Sequence, residues 1–182
     1  MRKVIVMILT LLAFVCSCSQ QDQPASKSSG EMVKKGSTAD QTTKAKKALN
    51  PMMDIEFLTK VIKEQPRNPL AYNNRGTAYH GLKQHELAVA DYNKAISLKA
   101  DYADAYNNRG VAYYSLGKHQ QAIEDFNQAI RLKQNFASAY ANRGLTYLNQ
   151  DKRDLGCADT KKACELGICS VLKDAQSKNV CP

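Results

Sequence analysis

The sequence lacks the motifs that identify most enzymes. It contains no glycine-rich phosphate loop and no nucleophile elbow, and no pair of acidic residues suggests a catalytic cleft. Its three histidines, His80, His85 and His119, are all distant in sequence from the four C-terminal cysteines, so a zinc site is not favoured. We therefore expect no catalytic residue, no cofactor and no metal ion.

The sequence also lacks a concentrated block of positive charge in its C-terminal part. The formal net charge is +9, but five of these charges belong to residues 1–50. From residue 51 onward there are 18 Lys and Arg against 14 Asp and Glu, and the two signs are interspersed. Nucleic-acid-binding domains instead collect basic residues on one face. We expect no nucleic-acid partner.

No apolar run is long enough for a permanent membrane span. The longest extends from Val4 to Cys16, follows Arg2 and Lys3, and is interrupted only by Thr10. Thirteen helical residues rise about 20 Å, whereas the hydrocarbon core is about 30 Å thick. The layout of a charged start and a short apolar run predicts a signal peptide over residues 1–17.

The end of this apolar run resembles the lipobox of bacterial lipoproteins. Val15-Cys16-Ser17-Cys18 has an aliphatic residue, a tolerant position, a small residue and then a cysteine. The resemblance implies cleavage before Cys18, lipid attachment to its sulfur, and a chain anchored in the bacterial envelope. Ser19 implies sorting to the outer membrane, with the protein facing the periplasm. The alternative is ordinary signal cleavage after Ser17 or Ser19.

Residues 18–50 contain almost no large apolar side chains. Gln, Ser, Thr, Lys, Ala and Gly dominate this stretch. Such a composition buries too little surface to offset the entropy lost on ordering. We expect a disordered polar tether that follows the lipidated cysteine.

A sequence repeat with a constant period begins after this stretch. The segments 71–79, 105–113 and 139–147 align with one another, and the first two read Ala-Tyr-Asn-Asn-Arg-Gly-Xaa-Ala-Tyr. Each copy continues into a second stretch with apolar residues at helical spacing. The period of about 34 residues and the small residues Gly76 and Ala88 resemble the tetratricopeptide repeat. This repeat is a helix-turn-helix unit that stacks on its neighbours.

This resemblance implies an all-α fold, a short right-handed solenoid of antiparallel helix pairs. The domain should cover residues 51–182, with repeats near 69–102, 103–136 and 137–170. Residues 54–66 resemble the second helix of a preceding unit, so the array should begin with half a repeat. A capping helix should close the C-terminal end.

The third copy departs from the pattern in its second helix. Gly156 stands where the family has alanine, and Thr160 stands where the earlier copies have Tyr92 and Phe126. We expect this helix to pack differently or to serve as an end cap.

An arginine and an aspartate recur together in each copy, always at the same separation along the chain. Folding each hairpin at its turn brings both members to the same height, where a charge-assisted hydrogen bond can form. We interpret these pairs as structural: Arg75 with Asp91, Arg109 with Asp125, and Arg143 with Asp159.

Four cysteines follow the repeat, an even number that predicts two disulfides after export. Cys157 and Cys164 are about 10 Å apart along one helix, too far to bond to each other. If the chain turns at residues 166–167, the pairs Cys164–Cys169 and Cys157–Cys181 come opposite each other. Residues 162–169 also resemble cysteine-rich Sel-like repeat proteins, which implies that such a pair joins adjacent helices.

The family resemblance implies a concave groove lined by the first helix of every repeat. Asparagine amides there can donate to and accept from a peptide backbone, and apolar residues further along would form the floor. The alternative is that asparagine is simply a common residue at these positions of the repeat and that these side chains contact solvent. The candidates are Asn73, Asn74, Thr77, Asn107, Asn108, Val111, Tyr114, Asn142 and Leu145, with Leu148 beside them.

The function implied is that of a protein–protein interaction adaptor or scaffold in the bacterial envelope, with a partner peptide or helix in the groove. One alternative is a structural lipoprotein that self-associates as a homodimer. A second alternative is a cell-wall hydrolase of the Sel-like type, which would lose activity when a polar groove residue is changed.

Overall fold

The computed structural model describes residues 51–182, which form eight α-helices and contain no strand. The predicted signal peptide, Cys18 and the predicted tether lie outside the described residues. The helices are α1 (Pro51–Glu64), α2 (Pro69–Gly81), α3 (His85–Leu98), α4 (Ala103–Ser115), α5 (His119–Leu132), α6 (Ala137–Asn149), α7 (Arg153–Glu165) and α8 (Ser170–Ser177).

Consecutive helices pack against one another, and α2–α3, α4–α5 and α6–α7 form three antiparallel hairpins. In addition, α2 contacts α4 and α4 contacts α6, so the first helices of the hairpins form a continuous layer. This is the predicted all-α solenoid, in which each unit buries its apolar face against its neighbours. The predicted half-repeat is α1, which packs on α2.

A glycine facing an aromatic ring holds each of the first two hairpins together. A Cβ atom added at Gly76 would lie 2.8 Å from Cε1 of Tyr92, and one at Gly110 would lie 2.6 Å from Cε1 of Phe126. Real Cβ atoms do not come so close, so only glycine allows the ring to rest on the backbone. Tyr92 and Phe126 are among the most completely buried side chains in the described residues.

The turn inside each hairpin uses the same backbone conformation at the same repeat position. Lys83, Gly117 and Asp151 occupy equivalent positions of successive repeats and have φ angles of 61°, 72° and 56°. The left-handed region is strained for most residues with a Cβ atom, and glycine relieves that strain in the second repeat alone.

The third hairpin exchanges the sizes of its facing residues, as its sequence predicted it would pack differently. Gly144 faces Thr160, which is fully buried, and the Thr160 hydroxyl donates to the carbonyl of Cys157 at 3.1 Å. In return, a Cβ at Gly156 would lie 2.5 Å from Cδ2 of Leu148. At this second contact the small residue is on α7 and the large one on α6.

Helix α8 covers the end of the array, and two disulfides hold it there. Cys157 is bonded to Cys181, with Cα atoms 5.5 Å apart, and Cys164 is bonded to Cys169, with Cα atoms 4.0 Å apart. These are the two pairings expected from the sequence, and Gly167, with φ of 101°, makes the turn between the helices. A small core surrounds the longer bridge: Ala175, Leu148, Leu172 and Val180.

Candidate functional site

The asparagines of α2, α4 and α6 form a ladder across the array. The side chain of Asn108 donates to Oδ1 of Asn73 at 3.1 Å, and that of Asn142 donates to Oδ1 of Asn107 at 3.0 Å. Each bond joins one repeat to the next. Asn74 occupies the position in the first repeat that Asn108 and Asn142 occupy in the next two repeats, and it is exposed.

This ladder corrects part of the predicted groove. Asn73 and Asn107 were expected to meet a ligand, but they are only 6% and 8% exposed. A buried amide must find a hydrogen-bond partner, and the amide of the next repeat supplies it. The two side chains therefore join repeats, and Asn108 contributes its amide nitrogen to the same purpose.

A first pocket, the N-terminal pocket, lies between α1 and α2 and brings together the predicted residues Asn74 and Thr77. The Thr77 hydroxyl donates to the carbonyl of Asn73 at 3.0 Å and lies 3.3 Å from the Tyr92 hydroxyl. Burial raises the pKa of Tyr92 to about 12, so the phenol stays neutral beneath this pocket. The remaining lining residues are Asp54, Phe57, Leu58, Ala78 and Gly81.

A second pocket, the central pocket, lies between α4 and α6 and has a volume of about 230 Å³. It brings together four predicted residues, Val111, Tyr114, Asn142 and Leu145, with Ser115 and Phe126. Phe126 comes from α5 and forms the floor. Phe126 was not among the predicted groove residues, and it is fully buried, so its ring supports the pocket from beneath rather than facing solvent.

A third pocket, the C-terminal pocket, adjoins the central one through Leu145 and extends onto α8. It was not predicted as a site, because the groove was expected only along the first helix of every repeat and α8 is not one of these helices. Leu148 lies here, with charged residues of both signs at the edge. The other lining residues are Asn149, Asp151, Arg153, Val171, Asp174, Ala175, Lys178 and Val180.

The three arginine–aspartate pairs each have bidentate geometry, with nitrogen–oxygen distances of 2.6 to 2.8 Å. The hydrogen bonds to Asp91 and Asp159 raise the pKa values of Arg75 and Arg143, so both stay charged. Each arginine also lies near the face of the tyrosine three positions before it. The aspartate and the tyrosine ring thus satisfy the charge of each guanidinium group, so these arginines are poorly placed to bind a ligand.

The same arginines also connect neighbouring repeats, which the sequence analysis missed. The remaining guanidinium nitrogen of Arg75 donates to Thr59 of α1, and the equivalent donors of Arg109 and Arg143 reach α3 and α5. The three acceptors occupy equivalent positions of successive repeats, and this regular spacing was the available signal: Thr59, Asn93 and Asn127.

The histidines lie at the hairpin turns. Nδ1 of His80 and Nδ1 of His85 are 3.0 Å apart, and burial, together with the charge of His85, lowers the pKa of His80. His119 instead contacts the ring of Tyr114, with centroids 5.4 Å apart. Within residues 51–182, no group of three or more His, Cys, Asp or Glu side chains is arranged to hold a metal ion.

Charge is sparse in the N-terminal and central pockets. Of the described residues that line these two pockets, Asp54 is the only charged one. The central pocket is lined mostly by apolar atoms of Val111, Leu145 and Phe126. Its chemistry suits an uncharged, apolar side chain. In the part of the chain described, no helix is both long and apolar enough to cross a membrane.

Family models match three overlapping parts of the chain. Models described as tetratricopeptide repeat match residues 103–136 and 57–90, and one described as TPR repeat matches residues 79–117. A curated relative, tetratricopeptide repeat protein 36 of Caenorhabditis elegans, is 48% identical over 44 residues. That match covers 24% of this chain and spans only 25% of the relative.

Solved structures are similar over longer stretches. The crystal structure of MamA is 32% identical, covers 70% of this chain and 71% of its own, and has a TM-score of 0.60. The first TPR of Spaghetti (RPAP3) bound to the HSP90 peptide SRMEEVD is 31% identical, covers 53% of this chain and 77% of its own, and has a TM-score of 0.52. With its repeated helical hairpins and these matches, the chain belongs to the tetratricopeptide repeat family.

Proposed function

We propose that the protein is an adaptor or scaffold that binds a segment of a partner protein along α2, α4 and α6. The observation that carries this proposal is the central pocket, where Val111, Leu145 and Asn142 surround the ring of Phe126. The similar Spaghetti domain was solved with a peptide bound, which supports this use of the fold.

The partner segment should present an apolar side chain to the central pocket. Leu145 is 37% exposed at its rim, so apolar surface is available there for a partner to remove from water. The amide nitrogen of Asn142 is bonded to Asn107, so its oxygen remains to accept a hydrogen bond from a peptide N–H group. Among its described lining residues, the pocket has no cation that would pair with an acidic peptide.

The partner backbone would be held further along by Asn74. Its side chain is exposed, and its amide nitrogen makes no hydrogen bond within residues 51–182. Thr77 lies in the same pocket. An extended segment would thus meet Asn74 and Thr77 at one end of the groove and the central pocket at the other.

The N-terminal sequence supports a proposal for where this adaptor is located. The signal peptide over residues 1–17, a lipid on Cys18 and the tether over residues 18–50 would anchor the repeat domain in the bacterial outer membrane, facing the periplasm. The partner would then be a protein of the cell envelope.

The groove is tested by crosslinking the full chain in intact bacterial cells and identifying captured proteins by mass spectrometry. Leu145→Asp places a charge at the central pocket, and Leu132→Asp is the matched control on α5. Both leucines are 37% exposed, so both substitutions should cost the fold about equally little. We expect Leu145→Asp to lose specific envelope proteins that wild type and Leu132→Asp capture. Identical sets in all three would contradict the groove.

The anchor is tested separately by the mass of the N-terminal peptide. We expect the wild-type peptide to begin at Cys18 with lipid attached, and Cys18→Ala to remain uncleaved and without lipid. Cys16→Ala is the matched control and should be processed like wild type. A wild-type peptide that carries no lipid would refute the anchor and leave the groove untouched.

A further inference from the structure

Helix α1 exposes apolar side chains on an outer face that α2 leaves uncovered, and Phe57 at the edge of this face also lines the N-terminal pocket. Met53 is 62% exposed and Phe57 is 66% exposed, whereas Ile55, Leu58 and Ile62 are partly covered on the other face. Within the described residues, α1 packs mainly on α2. Large exposed apolar side chains that adjoin one another mark an interaction surface.

The outer face of α1 is not built to receive the first helix of another repeat. Asp54 occupies the repeat position of the buried Ala88, and Phe57 occupies that of Asp91, which pairs with Arg75. A helix packed as α2 packs on α3 would bury the Asp54 carboxylate and would find no acid for its arginine. Such burial of an unpaired charge is costly.

Beside the apolar stripe formed by Met53 and Phe57, α1 carries charges of both signs that can pair with those of a second copy. Glu56 and Lys63 are both exposed, and their spacing places them two turns apart on the same side of α1. When two copies of this helix pack antiparallel, residues on the same side meet. Glu56 of one copy then faces Lys63 of the other, and the reverse pair forms by symmetry.

The two ends of the array differ in a way that favours symmetric pairing. The C-terminal end of the array is covered by α8, which the Cys157–Cys181 bridge holds in place, whereas the outer face of α1 carries the exposed Met53 and Phe57. An isologous contact uses the same surface on both copies and needs no second site. The stripe of α1 meets that requirement by itself.

We propose that two copies of this chain associate through α1, antiparallel and with a two-fold axis near residues 59 and 60. Phe57 of each copy packs over the aliphatic stems of Lys60 and Glu64 of the other, and Glu56 and Lys63 form two reciprocal ion pairs. The contact adjoins the N-terminal pocket through Phe57 but is separate from the central pocket, so each copy can still hold a partner side chain in its central pocket.

A charge swap tests this interface in the full chain, purified in detergent and examined by sedimentation velocity from about 1 to 100 µM. Glu56→Lys and Lys63→Glu each replace two attractive pairs by two repulsive ones and should each weaken dimerisation about tenfold. The double variant Glu56→Lys/Lys63→Glu restores opposite charges and should dimerise like wild type. Circular dichroism checks that each variant stays helical.

Phe57→Asp should abolish the dimer, whereas Leu87→Asp should leave it unchanged. Leu87 is the matched control because it occupies the repeat position of Met53 on α3 and is 50% exposed. The groove variant Leu145→Asp should also dimerise normally, so that failure of the groove and failure of this interface are distinguishable.

A second measurement covers the case in which detergent dissociates the dimer. The variant Glu56→Cys/Lys63→Cys should form a covalent dimer under mild oxidation in intact cells, and Leu87→Cys should not. A monomer in detergent together with no crosslink in cells would overturn the proposal and would assign the α1 face to another occupant. A double charge variant that stays monomeric while wild type dimerises would overturn the antiparallel register.

Discussion

The first two hairpins and the third solve the same packing problem with opposite choices of residue size. In α2–α3 and α4–α5, a glycine on the first helix receives an aromatic ring from the second. In α6–α7, Gly144 faces the smaller Thr160, and Leu148 on the first helix rests on Gly156 of the second. The contact between helices is retained in all three, but the third buries less apolar side-chain surface at this point.

The difference shows how an array of repeats can end. A middle hairpin is packed between neighbours on both sides, whereas the third has only α8 beyond it, a helix of 8 residues. Two disulfides hold that short helix, and Leu148 joins the core around the longer bridge. Covalent bonds thus replace the apolar packing that a further repeat would have provided.

The largest expected effect comes from removing the ring in a middle hairpin. Phe126→Ala should lower the free energy of unfolding by about 3–5 kcal/mol, because it leaves a cavity beside Gly110. Thr160→Ala, at the same position in the third hairpin, should cost about 1–2 kcal/mol for one hydrogen bond and one methyl group. Denaturant unfolding with intact disulfides measures both. Equal losses of unfolding free energy in the two variants would contradict the difference in packing between the second and third hairpins.

Opening the longer disulfide should have the next largest effect. Cys157→Ala/Cys181→Ala should destabilise the docking of α8 by about 2–4 kcal/mol, because that bridge closes a loop with a sequence separation of 24. Cys164→Ala/Cys169→Ala is the control, and its separation of 5 predicts a loss about 1 kcal/mol smaller. Limited proteolysis between α7 and α8 should accelerate in the first variant. Resistance to cleavage there would argue that packing alone holds α8.

A smaller effect is expected from adding a methyl group at the reversed contact. Gly156→Ala should cost about 1–3 kcal/mol, because its Cβ would meet Leu148 at 2.5 Å. In Gly156→Ala/Leu148→Ala much of the new contact disappears, so the two costs should not add. Gly81→Ala is the control, since its Cβ would meet nothing within 4 Å. Additive costs would show that Gly156 is needed for another reason.

The smallest effect at neutral pH concerns the buried ring of the first two hairpins, which carries a hydroxyl group in Tyr92 and none in Phe126. Burial raises the pKa of Tyr92 from 10.0 to about 12, so the unfolded chain ionises first as the pH rises. Wild type should therefore lose stability relative to Tyr92→Phe between pH 10 and about 12, by up to about 1.4 kcal/mol per pH unit. At neutral pH the variant should differ by less than about 1 kcal/mol, the value of the Thr77 contact. Thermal unfolding across this range measures both. If the stabilities of wild type and Tyr92→Phe changed in parallel with pH, the Tyr92 hydroxyl would be exposed to water.

The fold was predictable because the spacing of a sequence repeat determines which helices pair. Three copies at one spacing determine the helix pairs, and residues at a fixed separation across a hairpin turn must come to the same height, as Arg109 and Asp125 do. The cysteine pairs were accessible for a similar reason, since a turn near Gly167 leaves few partners within bonding distance.

The candidate site was harder to predict, because neighbouring positions on a helix face different surroundings. Asn73 and Asn74 read as equivalent in the sequence, yet Asn73 is buried in the ladder and Asn74 is exposed. Phe126 reads as a core residue, yet its ring also forms the floor of the central pocket. Both distinctions depend on where the adjacent repeat lies.

The sequence by itself determined the helical repeat, its period, the bonded pairs within each hairpin and the divergence of the third copy. These features depend on contacts between residues whose separation along the chain is constant. Only the tertiary structure decided which asparagine amides bond to one another between repeats and which apolar side chains remain exposed at the central pocket and on α1. Those outcomes depend on the rotation between successive helices, which small differences in side-chain size adjust and which no periodic pattern records.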